Sequence, residues 1–181
     1  MKPYGLVIDD KACWGCKACE VACKQENNAP DGLKLIKVLE DGPKRVTGRL
    51  QFQFKVQACK HCAKPACVKA CSFAAISKRA DGIVVLESAK CTGCRSCLEA
   101  CPYAAIVFDE TKEVALKCNL CHHRVDQGLL PACADNICLG HGIHFGDPAE
   151  IRQKIAEKRK LRGGRGEIIP KAISYSRTAH P

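Results

Sequence analysis

The sequence predicts an α+β fold of short hairpins and short helices, held together by bound metal and not by a large apolar core. Three observations carry that prediction. Cysteine supplies 16 of 181 residues while aromatics make up only 5%, and a chain with so little bulky apolar surface needs a metal or disulfide staple. Short runs alternate apolar and polar residues between turn signals, the period of half-buried strands. The cysteines fall into four groups of four, with none left over.

The elements follow in chain order. Met1-Lys2-Pro3-Tyr4-Gly5 leads only to Leu6-Val7-Ile8 before Asp9-Asp10, too short an apolar run for a secretory signal, and no twin-arginine pair stands near the start. Residues Ala18 to Gln25 read as a short helix. Leu33 to Leu39 and the alternating Leu50-Gln51-Phe52-Gln53-Phe54-Lys55-Val56 read as a hairpin turned by Asp41-Gly42-Pro43. Ala75-Ile76-Ser77 and Ile83 to Leu86, around Ala80-Asp81-Gly82, make a second hairpin. Ile106-Val107-Phe108 with Glu113 to Leu116 makes a third, and Ser96 to Cys101 is a second short helix. Asp147 as N-cap, Pro148 in the first turn and Glu150 at the capping-box position open a helix to about Leu161, stopping at Gly163-Gly164. Arg165 to Pro181 reads as an extended tail.

Apolar runs such as Ile83-Val84-Val85-Leu86 are far below the ~18 residues of a membrane span. The expectation is a cytoplasmic protein without direct membrane insertion, with export bound to a signal-bearing partner left open. A reducing compartment keeps thiols free, so sixteen cysteines read as metal ligands in preference to eight disulfides.

The spacing names the metal. Group one is Cys13, Cys16, Cys19 and Cys23; group two Cys59, Cys62, Cys67 and Cys71; group three Cys91, Cys94, Cys97 and Cys101; group four Cys118, Cys121, Cys133 and Cys138. Groups one and three share C-x2-C-x2-C-x3-C and align as an internal repeat. Groups two and four each open with C-x2-C and later carry Pro-Ala-Cys. A C-x2-C-x2-C loop wraps three corners of a [4Fe-4S] cube, and in two-cluster ferredoxins the fourth Cys ligates the other cluster; Pro102 after Cys101 completes that signature. Structural zinc uses paired C-x2-C units at longer separation and needs no third Cys three residues on. Cys118-Asn119-Leu120-Cys121-His122 also matches a haem attachment motif, but haem there would strand Cys133 and Cys138.

The run Cys13 to Lys24, the segment Cys59 to Cys67 and the run Cys91 to Tyr103 resemble the four-cluster electron-transfer subunits of molybdenum and tungsten oxidoreductases. These include the iron–sulfur subunits of dimethyl sulfoxide reductase and formate hydrogenlyase, and the small subunits of tungsten aldehyde oxidoreductase-type and class II benzoyl-CoA reductase complexes. The resemblance covers roughly residues 6–148. It implies two fused bacterial-ferredoxin-like units: residues 1–28 with 104–147, and residues 59–103, with 29–58 as a hairpin insertion and 148–181 as a basic helix and tail for partner docking. It implies four clusters, held by Cys13, Cys16, Cys19 and Cys138; by Cys118, Cys121, Cys133 and Cys23; by Cys59, Cys62, Cys67 and Cys101; and by Cys91, Cys94, Cys97 and Cys71. The chain departs from the pattern at Ser72 and Leu139, where Pro is usual, and at the C-x4-C spacing of Cys133 and Cys138. Those departures make Cys138 the ligand to test.

No group in the sequence looks catalytic, and no nucleotide-binding motif is present; Gly163-Gly164-Arg165-Gly166 reads as a hinge. The resemblance implies an electron-transfer subunit, not itself an enzyme, relaying electrons to a large molybdenum- or tungsten-pterin subunit, with room for further electron-transfer subunits. The alternative is a freely diffusing polyferredoxin. His61, His122, His123, His141 and His144 are candidates to tune cluster potentials or to serve as structural polar residues. Trp14 reads as a lid over its cluster. Lys17, Arg95 and Arg124 read equally as counter-charges or as surface residues. The net charge of +10 suggests nucleic acid until the clusters are counted: sixteen thiolates and four doubly charged cores bring it to about +2 and residues 1–150 to about −5. Residues 151–181 hold nine Lys/Arg against two Asp/Glu, so nucleic acid is set aside and the basic end becomes the docking element.

Overall fold

A computed structural model describes residues 4–161. The expected stop at Gly163-Gly164 and the tail Arg165 to Pro181 lie outside the described residues. Within them stand eight strands, paired two by two in four antiparallel ribbons, and five helices.

Strand β1 (Gly5–Ile8) pairs with β8 (Ile143–Gly146), with Leu6 opposite Phe145 and Ile8 opposite Ile143. The sequence does not announce this ribbon, because its two short strands lie far apart in the chain with no turn between them to mark a hairpin. It joins the two ends of the cysteine-bearing body. Helix α1 (Ala18–Glu26) follows as expected. It is anchored by buried Glu20, whose Oε1 accepts from the Val38 amide at 2.6 Å and whose Oε2 meets Lys34 Nζ at 2.5 Å.

The hairpin of β2 (Ile36–Val46) and β3 (Arg49–Ala58) is longer than predicted. Asp41-Gly42-Pro43 does not turn the chain. It forms an irregularity within β2, between the Asp41↔Gln53 and Lys44↔Gln51 pairs, which is where a strand tolerates a proline lacking its N–H. The turn falls instead at Thr47-Gly48, both with positive φ (47° and 81°), as a tight two-residue hairpin loop requires.

The second and third hairpins form where the short apolar runs place them: β4 (Ile76–Lys78) with β5 (Val84–Leu86), and β6 (Ile106–Asp109) with β7 (Val114–Lys117). Three helical turns stand beside them: α2 (Ala66–Ala70), α3 (Ser96–Glu99) and α4 (His122–Val125). Of these the sequence predicts only α3. Helix α5 (Pro148–Leu161) begins as predicted, with Asp147 Oδ1 accepting from the Ala149 amide at 2.8 Å, and it packs Ile151 and Ile155 against Val7 of β1.

The apolar interior is divided. Ile36, Val38, Val56 and Ile143 form one cluster with Cys19, Cys23 and Cys133. Ile76, Val84, Ile106 and Ala115 form a second with Cys97, and Ile83, Leu120 and Val125 a third with Cys118. Cysteine sits inside each of these three, whereas the Val7, Ile151 and Ile155 cluster under α5 has none.

Candidate functional site

The chain delivers the cysteines to their sites by one repeated local device. In groups one and three a glycine precedes the second cysteine in the left-handed region, Gly15 at φ 70° and Gly93 at φ 74°. A basic residue follows it in the same region, Lys17 at 59° and Arg95 at 60°, and directly precedes a helix. In groups two and four the residue before the second cysteine is left-handed and buried: His61 at φ 43° and Leu120 at φ 54°.

A second device closes each site at the last cysteine of groups two, three and four. Three residues after Cys71, Cys101 and Cys138 the chain turns left-handed, at Ala74, Ala104 and His141. In each, that residue's amide donates back to the cysteine carbonyl, at 3.3, 3.2 and 2.9 Å. In two of the three turns the next amide in reach meets the sulfur: Ala105 N–H to Cys101 Sγ at 3.5 Å and Gly142 N–H to Cys138 Sγ at 3.3 Å. Cys138 thus stands in the same turn as its counterparts despite the longer spacing before it. The signal is in the sequence: Cys-x-x-Ala-Ala-Ile occurs at Cys71 and Cys101, and Cys138-Leu139-Gly140-His141-Gly142-Ile143 keeps its frame. Gly140 is required there, since a Cβ would run into the Ala12 carbonyl oxygen.

Four sets of thiols result. Cys13, Cys16, Cys19 and Cys138 line one cavity, together with Trp14 and Lys17. Cys59, Cys62, Cys67 and Cys101 line another with Tyr103 and Lys117. Cys71, Cys91, Cys94 and Cys97 line a third with Phe73 and Arg95. Cys23, Cys118, Cys121 and Cys133 face one another in the interior, where Asn27 Nδ2 reaches Cys23 Sγ at 3.7 Å and Cys121 Sγ at 3.9 Å. Each set takes three cysteines from one group and one from another. Phe54 packs over Gly15 and stacks beside exposed Phe52, so the β2–β3 hairpin borders the first cavity.

The thiols are chemically poised for metal. Burial pushes Cys19 and Cys23 up to about 12, and Cys97 and Cys118 up to about 11, with neighbouring thiols of the same set adding to the rise. Cys133 is pushed up for the same reasons. Four sulfurs that repel one another as thiolates gain most from a multiply charged metal centre. Among the described residues, no three His, Cys, Asp or Glu side chains converge closely enough to hold one ion. Zinc needs all its ligands within about 2.3 Å of a single point, whereas a cube gives each thiolate its own iron. The donor set therefore fits [4Fe-4S].

Hydrogen bonds to sulfur come from backbone amides, from Asn27 and, at Cys94, from the Ser96 and Thr92 hydroxyls, and include Ala115 N–H to Cys91 Sγ at 3.4 Å and Leu120 N–H to Cys118 Sγ at 3.5 Å. Three of the histidines singled out for this role have a ring nitrogen facing a group other than sulfur, and the Nε2 of His61 is buried without a partner. His123 Nε2 meets Glu26 at 2.7 Å, His122 Nδ1 lies 3.8 Å from Asp126, and His61 Nδ1 accepts from the Val84 amide at 2.9 Å. His144 is buried on β8 opposite Val7. Lys17 and Arg95 pair with Glu40 at 2.6 Å and Glu110 at 2.5 Å, Arg95 also lying 3.9 Å over the Phe108 ring. Arg124 does more than either expected role. It bonds Glu26 at 3.0 Å, Asp135 at 2.7 Å and the Leu130 carbonyl at 2.8 Å, clamping α1 to the loop that carries Cys133. Trp14 is 46% exposed and borders its cavity as an incomplete lid. Lys117, buried beside the second cavity, carries no mark in the sequence that sets it apart from the other lysines.

The profile described as a 4Fe-4S dicluster domain matches residues 50–148. Over 158 residues the chain is 37% identical to a subunit of tetrathionate reductase from Salmonella typhimurium, covering 84% of this chain and 61% of the relative. It is 37% identical over 156 residues to a component of polysulfide reductase from Wolinella succinogenes, covering 85% and 81%. It is likewise 37% identical over 158 residues to a component of anaerobic dimethyl sulfoxide reductase from Escherichia coli, covering 83% and 77%. The chain thus spans about six tenths of the tetrathionate relative's length and about four fifths of the other two.

Proposed function

This chain is a member of the 4Fe-4S dicluster family of iron–sulfur electron-transfer subunits, and on that premise we propose that it is a four-cluster wire docked on a molybdenum- or tungsten-pterin oxidoreductase subunit. The observation that carries this reading is the exchange of cysteines between groups. Each of the four sets borrows one thiol from another group, so every site shares an element with a neighbour.

The sharing supports an order. Cys19 and Cys23 are one turn apart on α1, about 6 Å along its axis, and belong to the first and second sites. Cys118 of the second site lies near enough to Cys59 of the third for the two thiolates to repel. Cys67 lies on α2 with Cys71 as its C-cap, and Cys97 lies on α3 with Cys101 just past its end, so those two helices tie the third site to the fourth. The ligands we assign are Cys13, Cys16, Cys19 and Cys138; Cys23, Cys118, Cys121 and Cys133; Cys59, Cys62, Cys67 and Cys101; and Cys71, Cys91, Cys94 and Cys97. Bound cubes would supply one-electron storage at each site. The protein's part is to hold them close, to direct N–H groups at their sulfurs and to limit water at the interior site.

The fused-unit reading is supported by the β1–β8 ribbon, which brings residues 5–8 to 143–146. Ile106 and Ala115 pack with Ile76 and Val84, so we draw the unit of residues 59–103 onward through Lys117. Among the described residues no helix is long and apolar enough to cross a membrane, and we keep the cytoplasmic reading and the docking role of segment 148–181 as proposals. The relatives are named for three different substrates, which supports a general electron-delivery role and leaves substrate choice to the catalytic partner.

Anaerobic isolation from native cells tests this reading, with iron and sulfide analysis, EPR of the reduced protein, and mass spectrometry and Mo/W analysis of what accompanies it. The expected result is about sixteen irons per chain and a larger pterin-bearing partner. A lone monomer would favour a diffusing polyferredoxin, and a sharp Soret band would overturn the cluster reading altogether.

A further inference from the structure

Lys117 is a buried charge that the ligand set leaves unexplained. It ends β7 immediately before Cys118 and is only 5% exposed, although lysine is almost never fully buried without a partner. Its Nζ donates to the Val84 carbonyl at 2.5 Å and to the Cys118 carbonyl at 2.7 Å. Carbonyl oxygens orient an ammonium but do not neutralise it. The same side chain lines the cavity of Cys59, Cys62, Cys67 and Cys101. Its charge acts on a thiol of each neighbouring set, opposing the upward push of burial at Cys118 and at Cys67.

We propose that Lys117 is a positioning residue for electron transfer, a fixed positive charge at the junction of the second and third sites that stabilises an added electron on either. The inference rests on the ligand assignment made above. The step it serves transfers one electron: one site is oxidised, the next is reduced, and no bond or proton changes place. A positive charge in a low-dielectric interior favours the more negative redox state of whatever lies beside it, and net charge around a cluster is one of the levers on its potential. Because Lys117 stands between both sites, it raises both together and keeps the step between them shallow while favouring occupancy of the middle of the wire. A purely structural role, as a strut between β7 and β5, would leave potentials unmoved.

The test uses the full chain loaded anaerobically, comparing wild type with Lys117→Met, Lys117→Gln and Lys117→Arg by EPR-monitored redox titration. The two neutral variants are expected to lower the midpoints of two of the four sites by at least a tenfold change in reduced-to-oxidised ratio, about 59 mV for one electron. The other two midpoints should stay in place, and Lys117→Arg should stay near wild type. Unmoved midpoints in a fully loaded neutral variant overturn the proposal, as does an equal shift in the arginine variant or a shift spread over all four sites. If Met and Gln both fail to hold the clusters while Arg holds them, Lys117 serves assembly and the tuning role is rejected. A wild type that loads fewer than four clusters would instead overturn the ligand assignment, and this proposal with it.

Discussion

His61 and Lys117 hold the same residue from its two ends: the Val84 amide donates to His61 Nδ1 at 2.9 Å, and Lys117 Nζ donates to the Val84 carbonyl at 2.5 Å. Val84 is 1% exposed and lines the third site's cavity. Burial, and after it the charge of Lys117, holds His61 at about 3, so its ring is neutral and free to accept at Nδ1. Two polar side chains thereby fix one edge of the cavity that Cys59, Cys62, Cys67 and Cys101 line.

His61→Leu tests that clamp. Leucine fits the backbone, since Leu120 adopts the same left-handed conformation in the matching position of group four. The cost falls on the Val84 amide, left buried without an acceptor, which is worth about 1–3 kcal/mol. Thermal bleaching of the anaerobically loaded protein should shift to lower temperature while iron content stays at wild-type level. An unchanged midpoint would show that the bond to His61 contributes nothing.

The hairpins are legible in the sequence because apolar or alternating runs follow one another closely along the chain, and the cysteine sets because metal spacing is nearly a code. What escapes is non-local or looks ordinary. The β1–β8 ribbon pairs two four-residue runs from opposite ends of the body. Asp41-Gly42-Pro43 carries every mark of a turn, yet Thr47-Gly48 takes that role because the ladder continues past the proline. Lys117 and Arg124 read as surface charges in a basic chain, and only the packing shows one buried between cysteine sets and the other spanning α1 and the Cys133 loop.

Arg124→Gln should loosen the second site selectively. The guanidinium joins Glu26 of α1, which carries Cys23, to Asp135 beside Cys133, so its loss unties two of the four ligands. Charge-assisted bonds of this kind contribute about 2 kcal/mol. Expected is a chain that retains three clusters and loses the signal of the fourth under mild chelation, read by iron analysis and EPR; loss spread evenly over all sites would refute the clamp.

The same clamp sets a pH dependence. The His123 bond, helped by Arg124, holds Glu26 below the usual glutamate range. A carboxylate with a depressed folded pKa binds fewer protons folded than unfolded, so its stabilisation is complete above the ordinary value near 4.5 and is lost as pH falls through the folded value. Glu26→Gln should therefore be less stable than wild type near neutrality, and the difference should shrink on acidification below that value. Chelator-driven cluster loss measured at a series of pH values reads this directly, and a gap that widens in acid would contradict it.

Gly93→Ala should be worse than Gly15→Ala, although the two glycines are matched in the repeat and share the left-handed conformation. A Cβ at Gly93 would lie 2.6 Å from the Glu113 carbonyl oxygen, in the backbone that turns β6 into β7, while at Gly15 it meets the edge of the Phe54 ring. A ring on a hairpin that projects to the surface can swing aside; a backbone carbonyl cannot. Both variants bear the left-handed penalty of about 1 kcal/mol, but only Gly93→Ala should abolish its cluster. Gly15→Ala should recover stability when combined with Phe54→Ala, and failure of that rescue would mean the ring is not what excludes a side chain.

Cys138→Ser gives the sharpest reading of the site, because the spacing before Cys138 breaks the family pattern. Its local turn repeats those of Cys71 and Cys101, its sulfur accepts from the Gly142 amide, and it shares a cavity with Cys13, Cys16 and Cys19. If it binds the fourth iron, serine leaves three thiolates on a three-iron remnant. EPR of the oxidised variant should then show a signal that wild type lacks, with iron content lower by about one per chain. If Cys138 only packs beside the cavity, neither will change, since the serine hydroxyl can still accept from Gly142. The site is edged by exposed Trp14, so the remnant should also be the cluster that oxygen destroys first, seen as selective loss of that oxidised signal on brief aeration while the other three clusters persist.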